Sequence, residues 1–136
     1  MARPIIHHRT PEFQKIIQEV EEDLKYVYQT KNEVLIFTAS GTGAMEGSVV
    51  NLLSPGDKVL VVRGGKFGER FGEICQAYGI EFIAIDVEWG KAVDPKKIED
   101  ILKKDKNIKV VYTTLCETST GVATDIEAVG KILKNY

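Results

Sequence analysis

Residues 58–86 read KVLVVRGGKFGERFGEICQAYGIEFIAID. KVLVVR at 58–63 is an almost unbroken apolar run, the composition of a strand covered on both faces. From about residue 67 to 78 the pattern turns helical, and Gly79 stands where a helix stops. Residues 80–86 then return to a strand pattern. Strand, helix, strand in so short a span predicts a βαβ unit with parallel strands.

The same alternation extends both ways. Residues 33–39 (EVLIFTA) read as a strand and 43–53 as a helix, closed by the Ser54-Pro55-Gly56-Asp57 turn. Downstream, a helix over 94–104 starts at Asp94-Pro95, a strand spans 108–114, and a helix over 124–135 has Thr124 or Asp125 as its cap. Upstream, Phe13, Ile16, Ile17, Val20, Leu24 and Val27 recur at steps of three and four, which predicts an amphipathic helix over 11–29. Thr10 is its expected cap, Pro11 its first residue and Lys31-Asn32 its end. The expected fold class is α/β, a mainly parallel sheet with flanking helices. Its ligand-bearing loops follow the strands at one sheet edge.

Bulk properties exclude several functions. The 136 residues are 43% hydrophobic and 28% charged, with a formal net charge of −2, which argues against nucleic acid as a partner. Lys96, Lys97, Lys103, Lys104 and Lys106 cluster, but Glu99, Asp100 and Asp105 interleave with them, as on a solvated helix face. Cys75 and Cys116 stand far apart and are expected to be small buried hydrophobes. His8 and Glu12 have helical spacing but no third ligand, so no metal site is expected. Met1-Ala2-Arg3-Pro4 opens without an apolar leader and no run is long enough to span a bilayer. Cytoplasmic residence, with no membrane role, is the default expectation.

Three loops carry candidate chemistry. Ser40-Gly41-Thr42-Gly43 joins a strand to a helix start. There, unpaired amides and the helix dipole attract an anion, small residues admit a phosphate closely, and hydroxyls donate to it. The dinucleotide fingerprint fails at Glu46, and the P-loop lysine is missing. A tight turn with a hydroxyl cap explains the same residues. In Gly64-Gly65-Lys66-Phe67, the ring of Phe67 either covers a flat ligand or fills core, and the loop alone favours core. In residues 116–121 (CETSTG), the hydroxyls serve either a polar ligand or their own turn.

Together, HHRTPEF (7–13), SGTGAMEGSVVNLLSPGDKVLVV (40–62), GGKFGER (64–70), VEWGKAVDP (87–95) and ETSTGV (117–122) resemble the class V aminotransferases of fold type I. The alanine–glyoxylate and serine–glyoxylate aminotransferases are the group most alike, with the soluble hydrogenase small subunit among their relatives. The resemblance runs from Arg3 to Tyr136. It implies pyridoxal 5'-phosphate (PLP) as cofactor, with Ser40, Gly41 and Thr42 on its phosphate. Phe67 would stack on its ring, where many relatives have tryptophan and the cysteine desulfurases usually have histidine. Thr118 would contact it through its hydroxyl. Transfer of an amino group between a small amino acid (alanine or serine) and a 2-oxo acid such as glyoxylate is implied, in a homodimer.

The family's pyridine-nitrogen aspartate, Schiff-base lysine and substrate-gripping arginine have no counterpart here. Residues 1–136 are therefore expected to be part of the PLP-binding large domain, incomplete at its C-terminal end and at its N-terminal end too. No catalytic residue is assigned, and no turnover is expected from the chain alone. Two other readings stand beside this one. One is a non-catalytic truncated module that dimerises or binds a phosphate-bearing ligand; the other is a small nucleotide-binding α/β domain.

Overall fold

A computed structural model describes residues 4–136. Met1, Ala2 and Arg3, part of the stretch read as lacking a leader and of the family resemblance, lie outside the described residues. The chain divides into two compact units, Met1–Ala39 and Ser40–Tyr136.

The first unit holds helix α1, Pro11–Val27, with the Thr10 hydroxyl accepting from the Phe13 amide at 3.3 Å. Pro11 takes the first helical position, as expected. The helix ends before Lys31-Asn32. Gln29 turns left-handed at φ 51°, the Thr30 amide donates to the Lys25 carbonyl, and the Gln29 amide to that of Tyr26. This is a Schellman closure made without glycine.

Residues 33–39, expected as the first strand, form none. They pair with no strand among the described residues, and Leu35 is 84% exposed. An apolar, β-branched run supplies propensity, but a strand exists only where a neighbour completes its ladder.

The second unit contains helix α2 (Gly41–Leu52), strand β1 (Lys58–Arg63), helix α3 (Lys66–Ala77) and strand β2 (Glu81–Asp86). Helix α4 (Pro95–Lys104), strand β3 (Ile108–Tyr112), the short strands β4 (Cys116–Glu117) and β5 (Val122–Ala123), and helix α5 (Ile126–Leu133) follow. Strands β1, β2 and β3 form a parallel sheet in the order β2-β1-β3. The sheet has three strands where four were expected. Strand β3 stops at Tyr112, and the expected loop at 116–121 is instead an antiparallel hairpin of β4 and β5. Cys116 lies on that hairpin and is exposed, whereas Cys75 is buried as expected.

Side-chain alternation along β1 builds both cores. Val59 and Val61 face one way, onto Val49 and Leu53 from the α2 segment, Ile74 and Cys75 of α3, and Tyr112. Leu60 and Val62 face the other, onto Ile85, Val93, Ile98 and Leu102 of the α4 side, and Val129 of α5. Each such fully buried side chain contributes about 1.5–3 kcal/mol. Burial on both faces explains why KVLVVR lacks polar alternation.

Caps set the helix ends. Asp94 accepts from the Lys96 amide at 2.9 Å, and Asp125, not Thr124, caps α5 through the Ala128 amide at 2.9 Å. Gly79, at φ 67°, closes α3. Arg63 and Asp86, register partners on β1 and β2, form a two-pronged ion pair at 2.7 and 2.8 Å. The order β2-β1-β3 sends the chain to one side of β1 and then across to the other. In open α/β sheets such a switch of strand order, here between β1 and β3, marks the edge where ligands bind.

Candidate functional site

The heads of α2 and of α3, the latter following β1 directly, differ in what fills them. Helix α2 begins at Gly41, two residues earlier than expected, so Gly41 and Thr42 lie within its first turn. The cap residue Ser40 is exposed and makes no side-chain cap bond. First-turn amides have no intrahelical acceptor, so those of Gly41 and Thr42 point outward unclaimed by a cap. A Cβ added at Gly41 would meet nothing within 4 Å. This head is open.

Across from it, the Arg70 guanidinium of α3 donates to the Thr42 hydroxyl at 3.4 Å and also pairs with Glu73 at 2.8 Å. A fixed cation thus stands beside the first turn of α2. Phe67 lies one turn earlier than Arg70 and keeps 38% of its surface exposed. The expectation of Phe67 as core filler, favoured by its loop alone, does not hold. Phe71 takes the inner place instead, stacked on Tyr112 with ring centroids 4.6 Å apart.

The head of α3 is plugged by the protein's own carboxylate. Glu117, 3% exposed, accepts from the amides of Phe67 at 3.1 Å and Gly68 at 3.0 Å, and from the Ser119 hydroxyl at 2.9 Å. Burial pushes its carboxyl up, but the Gly68 and Phe67 amides and the Ser119 hydroxyl outweigh that, holding it below the ordinary glutamate range. The Ser119 hydroxyl also accepts from the Lys66 amide at 3.0 Å. Thr118, between Glu117 and Ser119, is exposed beside that head.

All five candidate residues therefore lie at one sheet edge. Thr42 is tied to α3 through Arg70, and Phe67 and Thr118 are tied through Glu117. Ser40 and Gly41 line the open helix start. The open head, its small residues and its neighbouring cation fit a phosphoryl group chemically.

Arg70 and Glu117 were not among the residues picked out by sequence. Arg70 was findable, since Phe67 and Arg70 share a helix face at a spacing of three. Glu117 was not, because its partners lie some fifty positions away. The rings of His7 and His8 lie 4.5 Å apart and tilted by 31°, and among the described residues no three metal-type side chains gather. Among those residues no helix is long and apolar enough to cross a membrane.

The aminotransferase class-V family profile matches residues 2–136. The chain belongs to the class-V aminotransferases. It is similar to the soluble hydrogenase 42 kDa subunit of Anabaena cylindrica, 46% identical over 138 residues, covering all of this chain and 36% of that protein. It is likewise similar to the serine–glyoxylate aminotransferase of Hyphomicrobium methylovorum, 44% identical over 98% of this chain and 34% of that one. Among solved structures, the subgroup IV aspartate aminotransferase of Thermus thermophilus superposes with a TM-score of 0.87 at 35% identity. That match covers 98% of this chain and 37% of the Thermus chain. The α/β architecture is therefore part of the fold type I aminotransferase fold. The chain spans about a third of the length of the curated class-V relatives it matches.

Proposed function

We propose that this chain is the phosphate- and ring-holding part of a PLP-dependent aminotransferase acting between a small amino acid, alanine or serine, and a 2-oxo acid such as glyoxylate. The observation that carries the proposal is the contrast between the two helix heads. One is filled by Glu117, while the other is open, lined by Ser40, Gly41 and Thr42, and flanked by Arg70.

In this reading the amides of the first turn of α2 and the hydroxyls of Ser40 and Thr42 donate to the phosphate. The positive end of the helix and Arg70 balance its charge. Phe67 offers its exposed ring as a shelf for the pyridine, and Thr118 donates from beside α3. Bound PLP supplies the electron sink for amino transfer. The site residues named here bind and orient; none is assigned a proton transfer. No lysine of this sequence stands in a Ser-Gln-Lys setting, and the proposal includes no turnover by the chain alone. The names of its relatives, serine–glyoxylate and L-aspartate–glyoxylate aminotransferase among them, support the substrate class. Homodimer formation belongs to the same reading on resemblance alone, and cytoplasmic residence is carried over as the default expectation.

Binding of pyridoxamine 5'-phosphate against pyridoxamine, by equilibrium dialysis, tests this, because neither amine forms an imine with surface lysines. The phosphate should raise affinity by about tenfold or more, as charge-assisted hydrogen bonds do. Equal affinity for the two would end the proposal.

A further inference from the structure

We propose that Glu117 is a positioning residue, its buried carboxylate locking the hairpin that carries Thr118 onto the turn of α3 that carries Phe67, so that both side chains face one ligand as a rigid pair. The inference rests on the reading of Phe67 and Thr118 as cofactor-facing.

Three consecutive amides open α3, those of Lys66, Phe67 and Gly68, and all three are held by the hairpin. Lys66 donates to Ser119 at 3.0 Å, Phe67 to Oε1 of Glu117 at 3.1 Å, and Gly68 to its Oε2 at 3.0 Å. Thr118 lies between the two residues that make these bonds. The Thr114 hydroxyl donates to Oε2 at 3.4 Å, and the Glu117 carbonyl accepts from the amides of Gly121 at 2.8 Å and Thr120 at 3.1 Å, which closes the hairpin turn. Each outward-facing group is thus fixed at its own backbone, one from each side of the same carboxylate.

The packing leaves no room for a side chain at two glycines beside these bonds. A Cβ at Gly65 would fall 2.5 Å from the Ser119 hydroxyl and 2.6 Å from Cδ of Glu117. A Cβ at Gly68 would fall 2.5 Å from the Val62 carbonyl oxygen. Glycine at both places lets α3 approach the sheet and the hairpin closely enough for the amides to reach. A carboxylate is also required. Glutamine accepts through one oxygen only, and its NH₂ would oppose the second amide.

The test uses the whole chain and two probes, pyridoxamine 5'-phosphate and inorganic phosphate, whose affinity ratio measures what the ring adds. In Glu117→Gln the ratio should fall by about tenfold, the effect of leaving a buried donor unpaired. Inorganic phosphate should bind as before, since the α2 head does not touch Glu117. The amide proton signals of Phe67 and Gly68 in ¹⁵N–¹H spectra should move upfield together. Ser119→Ala, which spares the carboxylate, should lower the ratio less and serves if Glu117→Gln fails to fold. An unchanged ratio in the folded variants overturns the inference alone. Equal loss for both probes also overturns it, marking general destabilisation. A wild-type ratio near one removes the ring reading itself, and the inference with it.

Discussion

The Arg70 guanidinium reaches the Thr42 hydroxyl across 3.4 Å, joining α3 to the first turn of α2. The contact places a permanent positive charge beside unclaimed helix amides. Replacing Arg70 with alanine should therefore weaken pyridoxamine 5'-phosphate binding by about tenfold, the worth of a charge-assisted hydrogen bond. Lysine should restore part of the affinity, since it keeps the charge but loses the planar fork. Equilibrium dialysis at low and high salt checks both, and the alanine deficit should shrink as salt screens the exposed pair.

Two glycines should separate binding from folding. At Gly41 an added methyl meets nothing within 4 Å, so Gly41→Ala should leave stability within about 0.5 kcal/mol. It should nonetheless weaken phosphate binding, because the methyl occupies the line of approach. At Gly68 the methyl would lie 2.5 Å from the Val62 carbonyl oxygen and 3.0 Å from the Arg63 Cα. That backbone yields poorly, so Gly68→Ala should cost about 1–3 kcal/mol. Urea unfolding of each variant reads the difference.

Acid should release the plug at the head of α3. The Glu117 pKa is lowered in the folded chain, so its contribution to stability is fully present above the unfolded glutamate pKa and is lost as pH falls through the folded one. At neutral pH, Glu117→Gln should be less stable than wild type by about 1–3 kcal/mol, the cost of an unpaired buried donor. The gap should close on acidification through and below the ordinary glutamate range. Melting temperatures of both proteins across that range are the measurement. A gap independent of pH would contradict a charged Glu117.

Burial predicts opposite outcomes for two aliphatic truncations. Ile98 is 0% exposed within the core beneath α4, so Ile98→Ala should cost about 2–5 kcal/mol. Leu35 is 84% exposed in a segment without a ladder partner, so Leu35→Ala should change stability of this chain by no more than about 0.5 kcal/mol. Chemical denaturation decides both.

Where a segment's partners are local, its reading from sequence held. Thr10 and Asp94 cap the helices they precede, and Gly79 ends α3 through its positive φ. The small residues at 40–43 marked a helix start and left an anion site and a hydroxyl-capped turn as equal readings, and the structure shows no cap bond from Ser40. The sequence alone thus determined the α/β alternation and the class-V resemblance. Tertiary structure decided the rest. It left residues 33–39 without a ladder, folded 116–123 into a hairpin, exposed Phe67 while Phe71 filled the core, and brought Glu117 and Arg70 to the site. Each of those outcomes depends on a partner distant in sequence, and a ladder, a plugged helix head or a buried carboxylate exists only once folding has brought that partner within hydrogen-bonding reach.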